Sequence, residues 1–172
     1  MQLQIEHLPN LKVINFYVKN LLKDSVLLFD EDHASGVEFI ENIFAYGNVE
    51  YCFITPDLCA IKYKDEKTHE DLRLVVIAEL EDFLSQKPDI LNIKKDENTI
   101  ALAEAVANSY IRPTLNRDNG DVEIISCNNG VLNLKFCGHC AGCPFAQNTL
   151  NNLIIKTLNK FVPQIREVRL AE

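Results

Sequence analysis

The chain gathers its most reactive side chains in one stretch, Cys137-Gly138-His139-Cys140-Ala141-Gly142-Cys143-Pro144. Cys140 and Cys143 are separated by two small residues, so both sulfurs can turn toward one metal centre while the glycines let the backbone fold tightly. The stretch leaves a strand-like run and enters a helix-like one. Pro144 suits a first helical position, which puts Cys143 at the N-cap, where free N–H groups and the helix dipole favour negative charge. Both thiols are therefore expected to ionise more easily than free cysteine. Three chemistries use such a pair. A thioredoxin-like dithiol oxidoreductase needs the same helix-start placement but belongs to a strand-helix-strand unit, which the hairpin before this loop fits poorly. A zinc-stabilised interaction module needs four closed ligands, and Cys137 and His139 are too cramped to complete an easy tetrahedron. An iron–sulfur cluster shared by two copies needs only two thiolates from each, and counting ligands favours it.

The other candidates read as structural. Cys137 is a possible third ligand, but its parity with Asn133 and Lys135 makes it a strand-end residue facing away from the hairpin core. Cys127 shares parity with Glu123 and Ile125, and Cys59 alternates with Ile61 and Tyr63 as a small buried hydrophobe; Cys52 lies in a similar strand. His139 reads as an exposed loop residue. His7, His33 and His69 show no spacing that suggests a site. Asp121 and Glu123 are solvated strand residues rather than an acid/base pair, and no Ser/His/Asp pattern or phosphate loop is present, so no enzyme is expected.

Alternation of Met1, Leu3 and Ile5 with Gln2, Gln4 and Glu6 predicts a first strand ended by a turn at Pro9-Asn10. Further strands are expected near 12–18, 25–30, 49–55 and 59–64, with a helix over 36–45 and a long amphipathic one over 69–86 that aligns Leu72, Val76, Leu80 and Phe83. Pro88 stops that helix, and the charged run after it predicts a linker at 91–96 between domains at 1–90 and 97–172. In the second domain, a helical stripe of Ile100, Ala103, Val106, Ala107 and Tyr110 ends near Pro113 to Asn119. A hairpin follows, turning at Asn128-Asn129-Gly130. A helix after the cysteine loop carries Leu150, Ile154, Leu158 and Phe161, and Ile165 to Leu170 add a last strand. The expected fold class is α+β, with two small α/β sandwich-like domains. The second is a three-stranded sheet with two helices in the order α-β-β-α-β.

At these residues the chain resembles a known family. Residues 111–170 are similar to the NifU C-terminal domain, the Nfu module of iron–sulfur cluster biogenesis. The shared features are Arg112-Pro113, Asp118, Gly120-Asp121-Val122-Glu123, Gly130, Gly138, Cys140, Cys143, Thr149-Leu150 and Val162-Pro163. The opening QIEHLPN and the layout after it resemble the domain that precedes this module in two-domain Nfu proteins. Asn119 stands where the family usually has glycine, a change tolerable because Asn accepts positive φ, and Leu8 replaces a usual threonine. The resemblance implies that Cys140 and Cys143 ligate a 4Fe-4S cluster, with 2Fe-2S the lesser alternative, bridging a homodimer and passed to apo-proteins. Upstream cluster assembly machinery is the implied source, and docking of recipients the implied role of the N-terminal domain.

A chain of 172 residues, 47% hydrophobic, can bury one respectable core or two small ones. A net charge of -8 and pI near 5.0 argue against nucleic acid and an anionic membrane as partners. The apolar runs fall far short of the roughly 20 residues that span a bilayer. The opening MQLQIEHLPN has neither a signal-peptide core nor an Arg-rich, acid-poor composition, which sets the expectation of a cytoplasmic protein.

Overall fold

The computed structural model describes residues 2–86 and 98–171, divided between two compact units, Met1–Asp96 and Glu97–Glu172. The linker expected at 91–96 lies outside the described residues.

The N-terminal unit contains a five-stranded antiparallel sheet in the order β1-β2-β5-β4-β3. Its strands are β1 (Leu3–Leu8), β2 (Val13–Val18), β3 (Leu27–Phe29), β4 (Val49–Thr55) and β5 (Leu58–Tyr63). Two helices accompany them, α1 (Glu38–Tyr46) and α2 (His69–Gln86). Period-two alternation sends Ile14, Phe16, Ile61, Tyr63, Cys52 and Ile54 into one core, where they meet Phe39, Ile40 and Ile43 of α1 and Leu72, Val76, Leu80 and Phe83 of α2. β1 lies at the sheet edge, and its Leu3 and Ile5 pack against that core while only partly buried. The turn after β1 is a short 3-10 segment, Pro9–Leu11, closed by Lys12 at φ 54°. Cys52 and Cys59 are fully buried on adjacent strands with their sulfurs 4.0 Å apart, and burial raises the Cys52 thiol pKa.

The C-terminal unit opens with α3 (Thr99–Val106), capped by the Asn98 side chain, which accepts from the N–H groups of Ile100 and Ala101. The helix continues through a π-helical stretch, Ala107–Ile111, into α4 (Arg112–Asn116). Strands β6 (Gly120–Asn128), β7 (Val131–Gly138) and β8 (Glu167–Leu170) form a sheet in that order, β6 antiparallel and β8 parallel to β7. Between β7 and β8 run α5 (Ala146–Thr149), a π-helical stretch Leu150–Ile155 and α6 (Lys156–Phe161) as one continuous helix. Val122, Leu132, Leu134 and Phe136 on the sheet are buried with Leu102, Val106, Ile111, Leu150, Ile154, Leu158 and Phe161 on the helices. Tyr110 and Phe161 stack with ring centroids 4.5 Å apart, joining the two helical stretches.

The mixed α/β architecture and the α-β-β-α-β order agree with the expectation. Two local features depart from it. An irregularity between Ile124 and Ser126 shifts the register, so Cys127 pairs with Leu132 instead of continuing the parity of Glu123. Directly opposed residues of an antiparallel pair share a face, so Cys127 lies on the core side and Ile125 is left 50% exposed. The second departure is at the cysteines: α5 begins at Ala146, with Phe145 rather than Cys143 as its N-cap. Among the described residues no helix is long and apolar enough to cross a membrane.

Candidate metal centre

The cysteine loop hangs from the end of the β6–β7 hairpin, where Gly120 and Gly138 are opposite one another. Gly138 sits at φ 58°, and a Cβ there would run into the Asn119 carbonyl oxygen, which already accepts from His139 N–H at 3.0 Å. Only glycine combines that backbone angle with so close an approach. Asn119 itself lies at φ 54°, so the residue standing in for the family's usual glycine adopts the left-handed conformation that Asn tolerates. A chain of tight turns follows, with Cys140 N–H donating to the Cys137 carbonyl at 3.3 Å, Ala141 N–H to Gly138 at 3.1 Å, and Cys143 N–H to Cys140 at 3.3 Å. Gly142 at φ 77° completes the reversal between the two cysteines. Ala146 N–H then bonds the Cys143 carbonyl at 3.0 Å, joining the loop to α5.

These turns leave Cys140 and Cys143 half-buried, among exposed Gly138, His139, Ala141, Gly142 and Pro144. The Cys140 sulfur packs directly on the Cα of Gly120, in the space a side chain there would fill. That explains a glycine at the first position of β6, where another backbone or side chain approaches closely. Arg112, close to the start of the hairpin, fixes the helix to the sheet: its Nε and Nη2 donate to the Val122 carbonyl at 3.1 and 3.0 Å, and its Nη1 donates to Glu104 and Asn108 at 2.6 Å each. Its guanidinium also faces Asp121 at 3.4 Å.

The electrostatics reverse one expectation from the sequence. The Cys140 pKa is raised, first by burial and then by the charge of Cys143, with Asp118 and Asp121 adding to the effect. A backbone N–H of Asp121 bonded to the sulfur offsets only part of this. With α5 starting beyond Cys143, the helix terminus is too far along to lower the thiol as an N-cap placement would. Burial and the neighbouring negative groups thus disfavour a bare thiolate at Cys140.

Cys137 bonds only weakly, to the Lys135 carbonyl at 3.8 Å. Among the described residues, neither it nor His139 joins Cys140 and Cys143 in a set of three converging ligands. Such a set does form elsewhere: His7, Glu66 and His69 converge in the N-terminal unit, against the expectation that the histidines stand apart. Parity carried the signal, since His7 continues the inward stripe of Leu3 and Ile5 and His69 is in helical register with Leu72 and Val76.

Residues 104–169, within the C-terminal unit, match the family described as the NifU-like domain. The chain is 27% identical over 136 residues to a Drosophila persimilis protein named NFU1 iron-sulfur cluster scaffold homolog, mitochondrial, covering 73% of this chain and 48% of that protein. A Drosophila virilis protein of the same name is 30% identical over 76 residues, or 44% of this chain and 26% of the relative. The chain thus spans about half the length, or less, of the curated relatives it matches. Among solved structures, a NifU-like protein from Saccharomyces cerevisiae is similar at 14% identity with a TM-score of 0.41, covering 50% of this chain and 80% of that one. The expectation of a cytoplasmic protein is corrected here, because the relatives are named as mitochondrial. That expectation rested on the composition of ten residues, which reports on those residues and not on a compartment.

Proposed function

We propose that this chain is an iron–sulfur cluster scaffold or carrier. Its cargo is a labile cluster held by Cys140 and Cys143, and two copies together supply the four thiolates that a 4Fe-4S cluster takes. The observation that carries the reading is the loop itself: two half-buried cysteines three residues apart, the Cys140 sulfur seated on Gly120, with Cys137 and His139 outside the set. The scaffold names of the relatives support the same class of function. Phe145 is 69% exposed directly beside Pro144, an apolar side chain suited to being covered when a second copy closes over the cargo.

The dithiol oxidoreductase alternative loses ground on chemistry. A redox cysteine relies on a lowered thiol pKa, and that of Cys140 is raised. The burial and the neighbouring negative groups that penalise a free thiolate are offset when an iron-containing cargo puts positive charge in place of the thiol proton. Release follows from the same exposure. Thiolates of a recipient apo-protein displace Cys140 and Cys143 stepwise, and the dimer separates as the cargo leaves. The upstream assembly machinery is the supplier in this reading, and the unit at 1–90 docks the recipient while 97–172 carries the cargo.

Anaerobic reconstitution with iron and sulfide tests this. The expected product is a brown dimer with broad absorption near ~400 nm, as for cysteine-ligated clusters. A colourless monomer that titrates reversibly with two electrons would instead mark a dithiol oxidoreductase.

A further inference from the structure

His7 on β1, Tyr63 at the end of β5, Glu66 in the turn before α2 and His69 at the start of α2 meet at one end of the N-terminal sheet. One nitrogen of each imidazole and a carboxylate oxygen of Glu66 all lie within 4.8 Å of one another. Glu66 Oε1 is 3.9 Å from His7 Nε2 and 3.9 Å from His69 Nδ1. The two imidazole rings stack with centroids 4.4 Å apart.

Hydrogen-bond accounting shows what the cluster lacks. The Tyr63 hydroxyl donates to Glu66 Oε2 at 2.8 Å, which orients the carboxylate and leaves Oε1 toward the imidazoles. With that hydrogen given away, the Tyr63 oxygen can only accept from His7 Nε2, 2.8 Å off. His69 Nδ1 lies 2.5 Å from the Glu66 carbonyl oxygen, an acceptor only, so Nδ1 carries a hydrogen. A neutral His69 then has its lone pair on Nε2, which faces Glu70 Oε1 at 3.2 Å. Two lone pairs so placed need a positive centre, either a proton on Nε2 or a metal ion. Glu70 has a second partner in Arg73, 3.0 Å from its other oxygen. The backbone carbonyl on Nδ1 and the tyrosine on the carboxylate are the kinds of partner that orient metal ligands.

We propose that His7, Glu66 and His69 bind one divalent first-row transition ion, Zn2+ or Fe2+, with Glu70 beside the remaining position. Two imidazoles and a carboxylate without a thiolate suit those ions better than Mg2+ or Ca2+. Metal–nitrogen bonds of ~2.0–2.1 Å put tetrahedral donors about 3.3 Å apart, so the 3.9 Å between His7 Nε2 and Glu66 Oε1 closes by roughly half an ångström, while His69 ligates through Nε2 because its Nδ1 keeps the hydrogen given to the Glu66 carbonyl. Ligation needs the other His7 tautomer: the ring hydrogen moves from Nε2 to Nδ1, which frees the Nε2 lone pair for the metal in place of the Tyr63 hydrogen bond. Side-chain exposures of 30% for His7, 50% for Glu66 and 18% for His69 leave the site open to solvent. The site is separate from the cysteine loop and stands whether or not the chain carries a cluster.

The test uses the full chain with Cys140→Ser and Cys143→Ser, so that the loop cannot compete, titrated with Zn2+ while histidine ring nitrogens are followed by NMR. The expected result is a shift at both His7 and His69 that saturates at one Zn2+ per chain, with affinity at least ~10-fold weaker in Glu66→Gln. Glu66→Gln keeps an acceptor for Tyr63, so the local fold is retained. Ring nitrogens that ignore stoichiometric Zn2+ and respond only to protons would overturn the proposal and leave His69 an imidazolium. Unchanged affinity in Glu66→Gln would overturn it equally.

Discussion

The two units bring their proposed ligands together in opposite ways. In the C-terminal unit Cys140 and Cys143 are three residues apart in one loop, and the fold needs only to present that loop at the end of a hairpin. In the N-terminal unit His7 meets Glu66 and His69 only because β1, β5 and the start of α2 come together at one sheet end. A local site tolerates change in the core behind it but not in its own backbone. An assembled site has the reverse sensitivity.

The largest expected effect sharpens that contrast at Tyr63, whose ring is fully buried while its hydroxyl bridges His7 and Glu66. Tyr63→Ala should cost about 3–5 kcal/mol in chemical denaturation and disperse the histidine cluster, whereas Tyr63→Phe should cost about 1 kcal/mol. Equal losses in the two variants would mean that the hydroxyl, not the core, assembles the site. Next, Gly138→Ala should destabilise the C-terminal unit by about 1–3 kcal/mol, because it forces a Cβ at φ 58° against the Asn119 carbonyl. Thermal melts of the two proteins measure this.

Gly120→Ala separates presentation from folding. The added Cβ meets the movable Cys140 sulfur, so reconstituted cluster content should fall several-fold while stability changes by less than about 1 kcal/mol. A full complement of iron in this variant would show that the Cys140–Gly120 packing is not what aims the sulfur. The pH response carries two signs. Loading exchanges thiol protons for cargo, so cluster content at fixed iron and sulfide should fall as pH is lowered, by up to about tenfold per unit for each proton released. In the cargo-free chain the folded state holds the Cys140 proton more tightly than the unfolded state, so that residue's contribution to stability is intact below the ordinary thiol value of 9.0 and is lost above it, as pH rises through the raised folded value. Smallest of all, Asn119→Gly should change stability by less than about 1 kcal/mol, since both residues accept φ 54°.

The same contrast governs what could be read from the chain beforehand. Strands and helices were legible where periodicity ran unbroken: α2 occupies His69–Gln86 and β4 Val49–Thr55, matching the stripes that predict them. Parity arguments failed at Cys127, because one extra residue at Ile125 shifts the register and no turn-forming residue announces it. The helix start was misplaced because Pro144 suits a first helical turn but here belongs to the turns before Ala146. That error also carried the thiol pKa in the wrong direction. Parity puts His7 and His69 each on an inward face, but only tertiary pairing decides that those two faces meet. The cysteine pair was visible at once because its chemistry is local.

The central claim is that two sulfurs of this loop, doubled by a second copy, hold the cargo. Iron and sulfide content, together with the mass in solution, measured after anaerobic reconstitution of the unaltered chain, Cys137→Ser and Cys140→Ser/Cys143→Ser, tests it most directly. The account predicts a cluster-loaded dimer for the first two and an iron-free monomer for the last. Iron and colour retained by Cys140→Ser/Cys143→Ser, or lost in Cys137→Ser, would contradict it.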